Sequence, residues 1–256
     1  MELIDTHCHI HFPDYELDPQ EVLRDSVKAG VGKLLCVGCT LTDSELAIDF
    51  ARRHENIWAS IGLHPHEGSV YVNDHQSLQR FHQLAKSPKV IAIGETGLDY
   101  HYDHSTRADQ KKLLRFQLDV AMEHNLPLIF HVREAFADFW KILDSYPDAR
   151  GVVHSFTAGQ TEVDEILARK LLIGLNGIVT FTKDQAQLKA IKDIPLTSII
   201  LETDAPFLTP VPFRGTICQP KHVVETARFL AKLRGDSIEK LATQTSKNAI
   251  KLFNLQ

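Results

Sequence analysis

Eight short apolar runs, each followed by a stretch with helical periodicity, constrain this chain more than anything else in it. The runs cover residues 3–7, 33–37, 58–62, 90–95, 128–131, 152–154, 172–175 and 198–202. Most are near-continuously apolar, as parallel strands buried on both faces are. Helix signals fill the gaps. Ser105 precedes a long helix with Leu114, Leu118, Ala121 and Met122 on one face, ending near Asn125 before Pro127. Thr42-Asp43-Ser44-Glu45 reads as a capping box. Val223, Ala227, Leu230 and Ala231 line another helix that Gly235 terminates, and Asp236-Ser237-Ile238-Glu239 opens a last one. Eight βα units in 256 residues have the size and order of a TIM (β/α)8 barrel forming one domain over 1–256, with a doubly wound open sheet as the alternative.

Composition narrows the function. Apolar content of 43% and charged content of 24% are those of a globular protein, and the net charge of −5 offers no global basic field for a polyanion. No apolar run approaches the ~20 residues that span a bilayer. The acidic start enters a strand at once without a signal-peptide pattern, so a cytoplasmic location is expected. The four cysteines are too scattered for a disulfide scaffold. Cys36-Val-Gly-Cys39 has redox or zinc spacing, but without a second pair it reads as two small apolar residues at the end of a buried strand.

In a barrel, chemistry gathers at the C-terminal ends of the strands. There this chain carries Asp5-Thr6-His7-Cys8-His9, Gly62-Leu63-His64-Pro65-His66, Gly94-Glu95-Thr96-Gly97-Leu98-Asp99-Tyr100, His131-Val132-Arg133, His154-Ser155-Phe156 and Leu201-Glu202-Thr203-Asp204-Ala205-Pro206. One histidine after one strand is usually a hydrogen-bonded core residue. Four histidines and two carboxylates on one rim need a cation to compensate them. Six ligands exceed what one four-coordinate metal with an open position takes. Two metals suit them: His7, His9 and Asp204 hold one, His131 and His154 the other, and Glu95 bridges. Period-two alternation puts His7 and His9 on one strand face. Asp5 behind them either orients an imidazole or caps a turn.

These motifs, with Leu126-Pro127-Leu128-Ile129-Phe130, Arg214-Gly215, Asn248 and Phe253, resemble the TatD-like metal-dependent hydrolases across essentially the whole chain. The resemblance implies an amidohydrolase-type barrel in which His7 and His9 match ligands of one metal, and His131 and His154 ligands of the other. Glu95 matches the bridging carboxylate, and Asp204 the aspartate ending strand eight. It further implies a metal-dependent deoxyribonuclease, acting as a 3′–5′ exonuclease on single-stranded DNA or DNA ends. A D-aminoacyl-tRNA deacylase, or an amide, ester or lactone hydrolase on the same centre, is the alternative, and a non-catalytic barrel a third. Two departures stand out. Cys218-Gln219-Pro220 occupies the place of the family's Asn-Glu-Pro, and His11 that of an acidic residue.

The expected mechanism uses two divalent cations, zinc, manganese or magnesium, with Glu95 and Asp204 catalytic. Four imidazoles favour zinc or manganese over magnesium. His64, Arg133 and Arg214 are the candidate substrate-binding residues, with His66 undecided. Arg133 shares the strand face of His131, against the alternative of an ion pair with Glu134 or Asp138. Tyr100, Tyr102, Phe181 and Phe207 are candidates for stacking on bases. The oligomeric state is unknown from the sequence, which shows no unexplained apolar stripe, and a monomer is favoured.

Overall fold

A computed structural model describes residues 2–102 and 104–255. Eight strands form one sheet whose order follows the chain: β1 Leu3–Cys8, β2 Val31–Val37, β3 Ile57–Ile61, β4 Val90–Asp99, β5 Leu128–Arg133, β6 Gly151–Val153, β7 Leu172–Leu175 and β8 Ile199–Leu201. The pairings described within it are parallel, and helices separate the strands. The fold is a TIM barrel of the (β/α)8 class. Among the described residues no helix is long and apolar enough to cross a membrane.

By internal contacts the chain forms two compact units: one runs up to Cys36 and resumes at Ser155, the other is Val37–His154. In the first, β1 pairs with β2 and β7 with β8. A parallel bridge from Cys8 to Ala205 joins the far ends of β1 and the β8 segment. The backbone N–H of His9 donates to Ala205 O at 2.6 Å, that of Asp204 to His7 O at 2.8 Å, and Thr6 Oγ1 to Leu201 O at 2.9 Å. Residues brought close by these bonds lie nearly two hundred positions apart in sequence. Leu3, Ile173, Leu175, Ile199, Ile200, Leu230 and Leu241 are all fully buried here. Parallel strands covered on both faces leave no polar alternation to read.

In the second unit β3, β4, β5 and β6 pair in order. The helix Arg107–His124 covers them with Leu113, Leu114 and Leu118, each at most 1% exposed. Each leucine withdrawn from water contributes roughly 1.5–3 kcal/mol. Thr106 caps this helix by accepting from the Asp109 N–H at 3.1 Å, and Asn125 ends it at φ 51°, a left-handed conformation that asparagine tolerates.

Two expectations need correction. The cap of the helix Leu41–Arg52 is Thr40, not Thr42. Thr40 Oγ1 accepts from Asp43 N at 3.1 Å, and the Asp43 carboxylate reaches past the cap to accept from Cys39 N at 2.7 Å, so the helix starts two residues earlier. The fourth strand does not stop at Glu95 but runs to Asp99. Gly97 permits this. It lies opposite His131 in β5, and a Cβ there would meet His131 O at 1.8 Å. Only a residue without a side chain lets the two backbones approach so closely.

Candidate metal centre

Irregular pairing positions both strands that carry candidate ligands. Between Asp5 and Cys8, β1 spends three residues against two in β2, from Leu34 to Cys36. Between Ile93 and Thr96, β4 does the same against Leu128 to Phe130. Such bulges turn a side chain away from strict alternation. His7 sits in the first and Glu95 in the second.

In the first unit three ligand atoms converge. His7 Nε2 lies 3.2 Å from His9 Nε2, and Asp204 Oδ1 lies 3.5 Å from the first and 3.4 Å from the second. Ligands 2.0–2.1 Å from a tetrahedral cation stand about 3.3–3.5 Å from one another, so this triangle is already cation-sized. Both imidazoles are buried, and His9 stacks on Phe12 at 4.7 Å. Asp204 is at φ 64°, and its carbonyl accepts from the Phe207 N–H at 2.8 Å.

Asp5 settles on the turn rather than on an imidazole. Its Oδ1 accepts from the N–H of Thr203 at 2.9 Å and of His7 at 3.3 Å, and its Oδ2 from Thr203 Oγ1 at 2.6 Å. Burial pushes this carboxyl well above the usual range, and the bonds from Thr203 and His7 oppose the shift. Asp5→Ala strands the Thr203 donors in the interior. The expected cost is roughly 1–3 kcal/mol per orphaned group, read as a lowered urea midpoint, with Asp5→Asn recovering part of it. An unchanged midpoint in Asp5→Ala removes Asp5 from the role of fastener. Glu202, also buried, accepts from Ser155 N at 2.5 Å, and Gly174 is bare because a Cβ there would press within 2.5 Å of Glu202 Oε2.

In the second unit Glu95 Oε1 is ringed by three imidazoles: His131 Nδ1 at 2.7 Å, His154 Nε2 at 2.8 Å and His64 Nε2 at 3.6 Å. Cys39 Sγ donates to Glu95 Oε2 at 3.6 Å. Burial alone would raise the Glu95 pKa, but His154, His64 and His131 outweigh it and hold the carboxyl well below its usual value. Behind them, Asp99 Oδ2 lies 3.0 Å from His131 Nε2 and 3.1 Å from His66 Nε2. Burial lowers the pKa of His131, yet the bonds to Asp99 and Glu95 raise it overall. His64 goes the other way, kept neutral by burial and by the neighbouring His131. A neutral imidazole with an available lone pair is the form a metal takes.

The sequence matches the family described as TatD related DNase over residues 4–254. The uncharacterized metal-dependent hydrolase YabD of Bacillus subtilis is 34% identical, with 99% of each chain covered. This chain belongs to the TatD family. A Cronobacter sakazakii relative named 3′-5′ ssDNA/RNA exonuclease TatD is 35% identical over 98% of this chain and 97% of its own. The crystal structure of the TatD homolog YjjV of Escherichia coli superposes with a TM-score of 0.91 at 29% identity, covering 99% of this chain and 98% of the other. The TatD family consists of metal-dependent hydrolases, and the donor sets of both units suit divalent metals.

Within this TatD-family chain, His7, His9 and Asp204 come together in one unit, and Glu95, His131 and His154 in the other. His64, expected to touch substrate, stands inside the Glu95 cluster. Arg133 is exposed with its guanidinium 4.8 Å from the Tyr102 ring centre. Glu134 instead engages His101, and Asp138 engages Lys111 and Tyr100. Arg214 lies over Phe181 at 3.9 Å and donates to Thr209 O at 2.8 Å. Cys36, read from the sequence as a small apolar residue, is a buried thiol opposite Cys8 in the β1–β2 register. Cys39 departs from that reading, because it touches Glu95. Asp99 is a site residue that the apolar runs do not reveal. Its signal is the spacing of four from Glu95, which puts both on one face of a strand read through Gly97.

Proposed function

We propose that this TatD-family hydrolase cleaves phosphodiester bonds and acts as a deoxyribonuclease, an exonuclease removing nucleotides from the 3′ end of single-stranded DNA, with two divalent cations. The observation that carries the reading is the cation-sized triangle of His7, His9 and Asp204, together with a second unit in which Glu95 gathers three imidazoles. Relatives named as ssDNA/RNA exonucleases support the substrate. His7, His9 and Asp204 are assigned to one cation, His131 and His154 to the other, and Glu95 to both. Zinc or manganese suits the four imidazoles, and magnesium is the third candidate. Divalent cations bound to such ligands acidify water and neutralise phosphate charge.

The residues themselves do the rest. Asp204 keeps 16% of its side chain exposed and is assigned to accept the proton of an attacking water. Glu95 stays ionised among its imidazoles and does not compete for that proton. Arg133, having no carboxylate partner among the described residues, is assigned to a phosphate oxygen pair, which a planar guanidinium grips bidentately. His64 is assigned to the substrate side of Glu95, and Arg214, braced on Phe181, to the strand beyond the cleaved bond.

The test is a single-stranded oligonucleotide labelled at one end or the other, incubated with Mn²⁺ or Mg²⁺ and with EDTA. The expected result is mononucleotide release that shortens a 5′-labelled strand stepwise and that EDTA abolishes. Hydrolysis of esters or lactones with DNA and RNA left whole would assign the centre to carbonyl chemistry instead.

A further inference from the structure

A second donor cluster lies at the other end of the strands of the second unit. The helix His75–Leu84 leads toward the start of β4, and Arg107–His124 toward the start of β5. His82 occupies the last turn of the first helix, and Glu123 and His124 close the second. Glu95 and His131, by contrast, are carried by the later residues of β4 and β5. In barrels that opposite end serves stability rather than chemistry.

His82 Nε2 is 2.8 Å from Glu123 Oε2, and His124 Nε2 is 3.9 Å from Glu123 Oε1. The imidazole rings stand 5.0 Å apart at 64°. One ligand atom from each residue falls within 4.8 Å of the other two. Ligands of a tetrahedral cation stand about 3.3–3.5 Å apart, so shifts of less than ~1 Å close the triangle. His124 Nε2 is buried and makes no hydrogen bond, although its ring is wedged between two helix ends. A buried ring nitrogen without a hydrogen-bond partner is costly unless something else engages it. Each helix also directs its C-terminal carbonyls and partial negative charge to this end, which favours a cation. The backing is rigid: Phe81, next to His82, is fully buried and packs on Phe116 at 5.7 Å between ring centres. Lys86 lies near enough to Glu123 to oppose a cation there.

We propose that His82, Glu123 and His124 form a structural site for a first-row divalent cation of the zinc class, stapling the two helix ends together and leaving a fourth position to water. Two imidazoles and one carboxylate select zinc, cobalt, nickel or copper over magnesium and calcium, which prefer oxygen. The staple is separate from the hydrolytic centre and does not depend on which substrate that centre takes.

The experiment uses the full chain stripped with chelator and dialysed against zinc, with metal counted per chain by plasma mass spectrometry. His82→Ala and His124→Ala are each expected to hold one equivalent less than wild type. Competition with a chromogenic chelator should show the affinity of that equivalent falling by more than the ~10–100-fold that loss of an outer hydrogen-bond partner costs. Zinc should raise the melting temperature of wild type further than that of either variant, and hydrolytic turnover should be the same in all three. Cobalt substitution supplies an independent reading, because the d–d absorption of wild type should exceed that of His124→Ala by the contribution of one four-coordinate cobalt, over the absorption that the hydrolytic centre gives in both. Equal metal content and equal zinc-induced stabilisation in all three proteins would overturn the proposal and leave only an ion pair between two helices.

Discussion

Glu95→Gln is expected to lower turnover by about 10³-fold, within the 10²–10⁴ range that one positioned acid–base or charged group supplies. The substitution keeps the size of the side chain and removes its charge. That charge sits among His131, His154 and His64, which together keep the carboxyl ionised despite burial. A neutral amide offers its oxygen to one imidazole and presents an N–H₂ to the others, so it gathers neither the three rings nor a cation. The fold should survive, because β4 reaches Asp99 through backbone bonds that the change leaves alone. Steady-state turnover with saturating Mn²⁺, far-ultraviolet circular dichroism and metal content measure the three claims separately. Activity within tenfold of wild type at unchanged metal content would remove Glu95 from the centre. Asp204→Asn should show a similar loss of rate, with one cation bound less tightly.

Gly97→Ala tests the frame instead of the chemistry, and its effect on stability should be the largest of any single methyl group added to this chain. The new Cβ would lie 1.8 Å from His131 O and 2.8 Å from His131 C, both backbone atoms that no rotamer change can clear. The φ of 154° adds strain for any residue with a side chain. Overpacking and backbone strain together predict a loss of about 3–5 kcal/mol. Urea denaturation followed by tryptophan fluorescence reads this as a lowered midpoint at unchanged slope. If β4 and β5 part to admit the methyl group, His131 leaves both Glu95 and Asp99, so any folded remainder should also be inactive. A midpoint equal to that of wild type would mean the two strands are not bound as closely as described.

How much of this is legible in the residues depends on which physical signal each element carries. All eight strands announce themselves because parallel strands buried on both faces write an unbroken apolar run, and β7 matches its expected limits. The candidate ligands are equally plain, since imidazoles and carboxylates crowded at the ends of apolar runs are costly to bury without a compensating cation. Local irregularity is not plain. Period-two alternation anticipates that His7 and His9 meet, but not that an extra residue interrupts β1 at that point. The run at β4 looks finished at Glu95 because Gly97 has no side chain to register on any hydrophobic scale. The strand's continuation, and with it the role of Asp99, is hidden by the residue that makes it possible. Cys39 is invisible for a different reason: its meaning lies in Glu95, fifty-six residues away, and composition cannot supply such a neighbour. Thr40 and Thr42 offer the same cap two positions apart, and only the bond to Cys39 decides between them.

The seam between β1 and the β8 segment has a consequence for biosynthesis. His7 and His9 precede Thr203, Asp204 and Ala205, which fix and complete their arrangement, by nearly two hundred residues, so they leave the ribosome well before those partners do. Until then the two histidines lack the carboxylate that stands beside them in the folded chain. On the proposed assignment of Asp204, a chain stalled before that residue is expected to be inactive, and activation waits for the β8 segment to join β1.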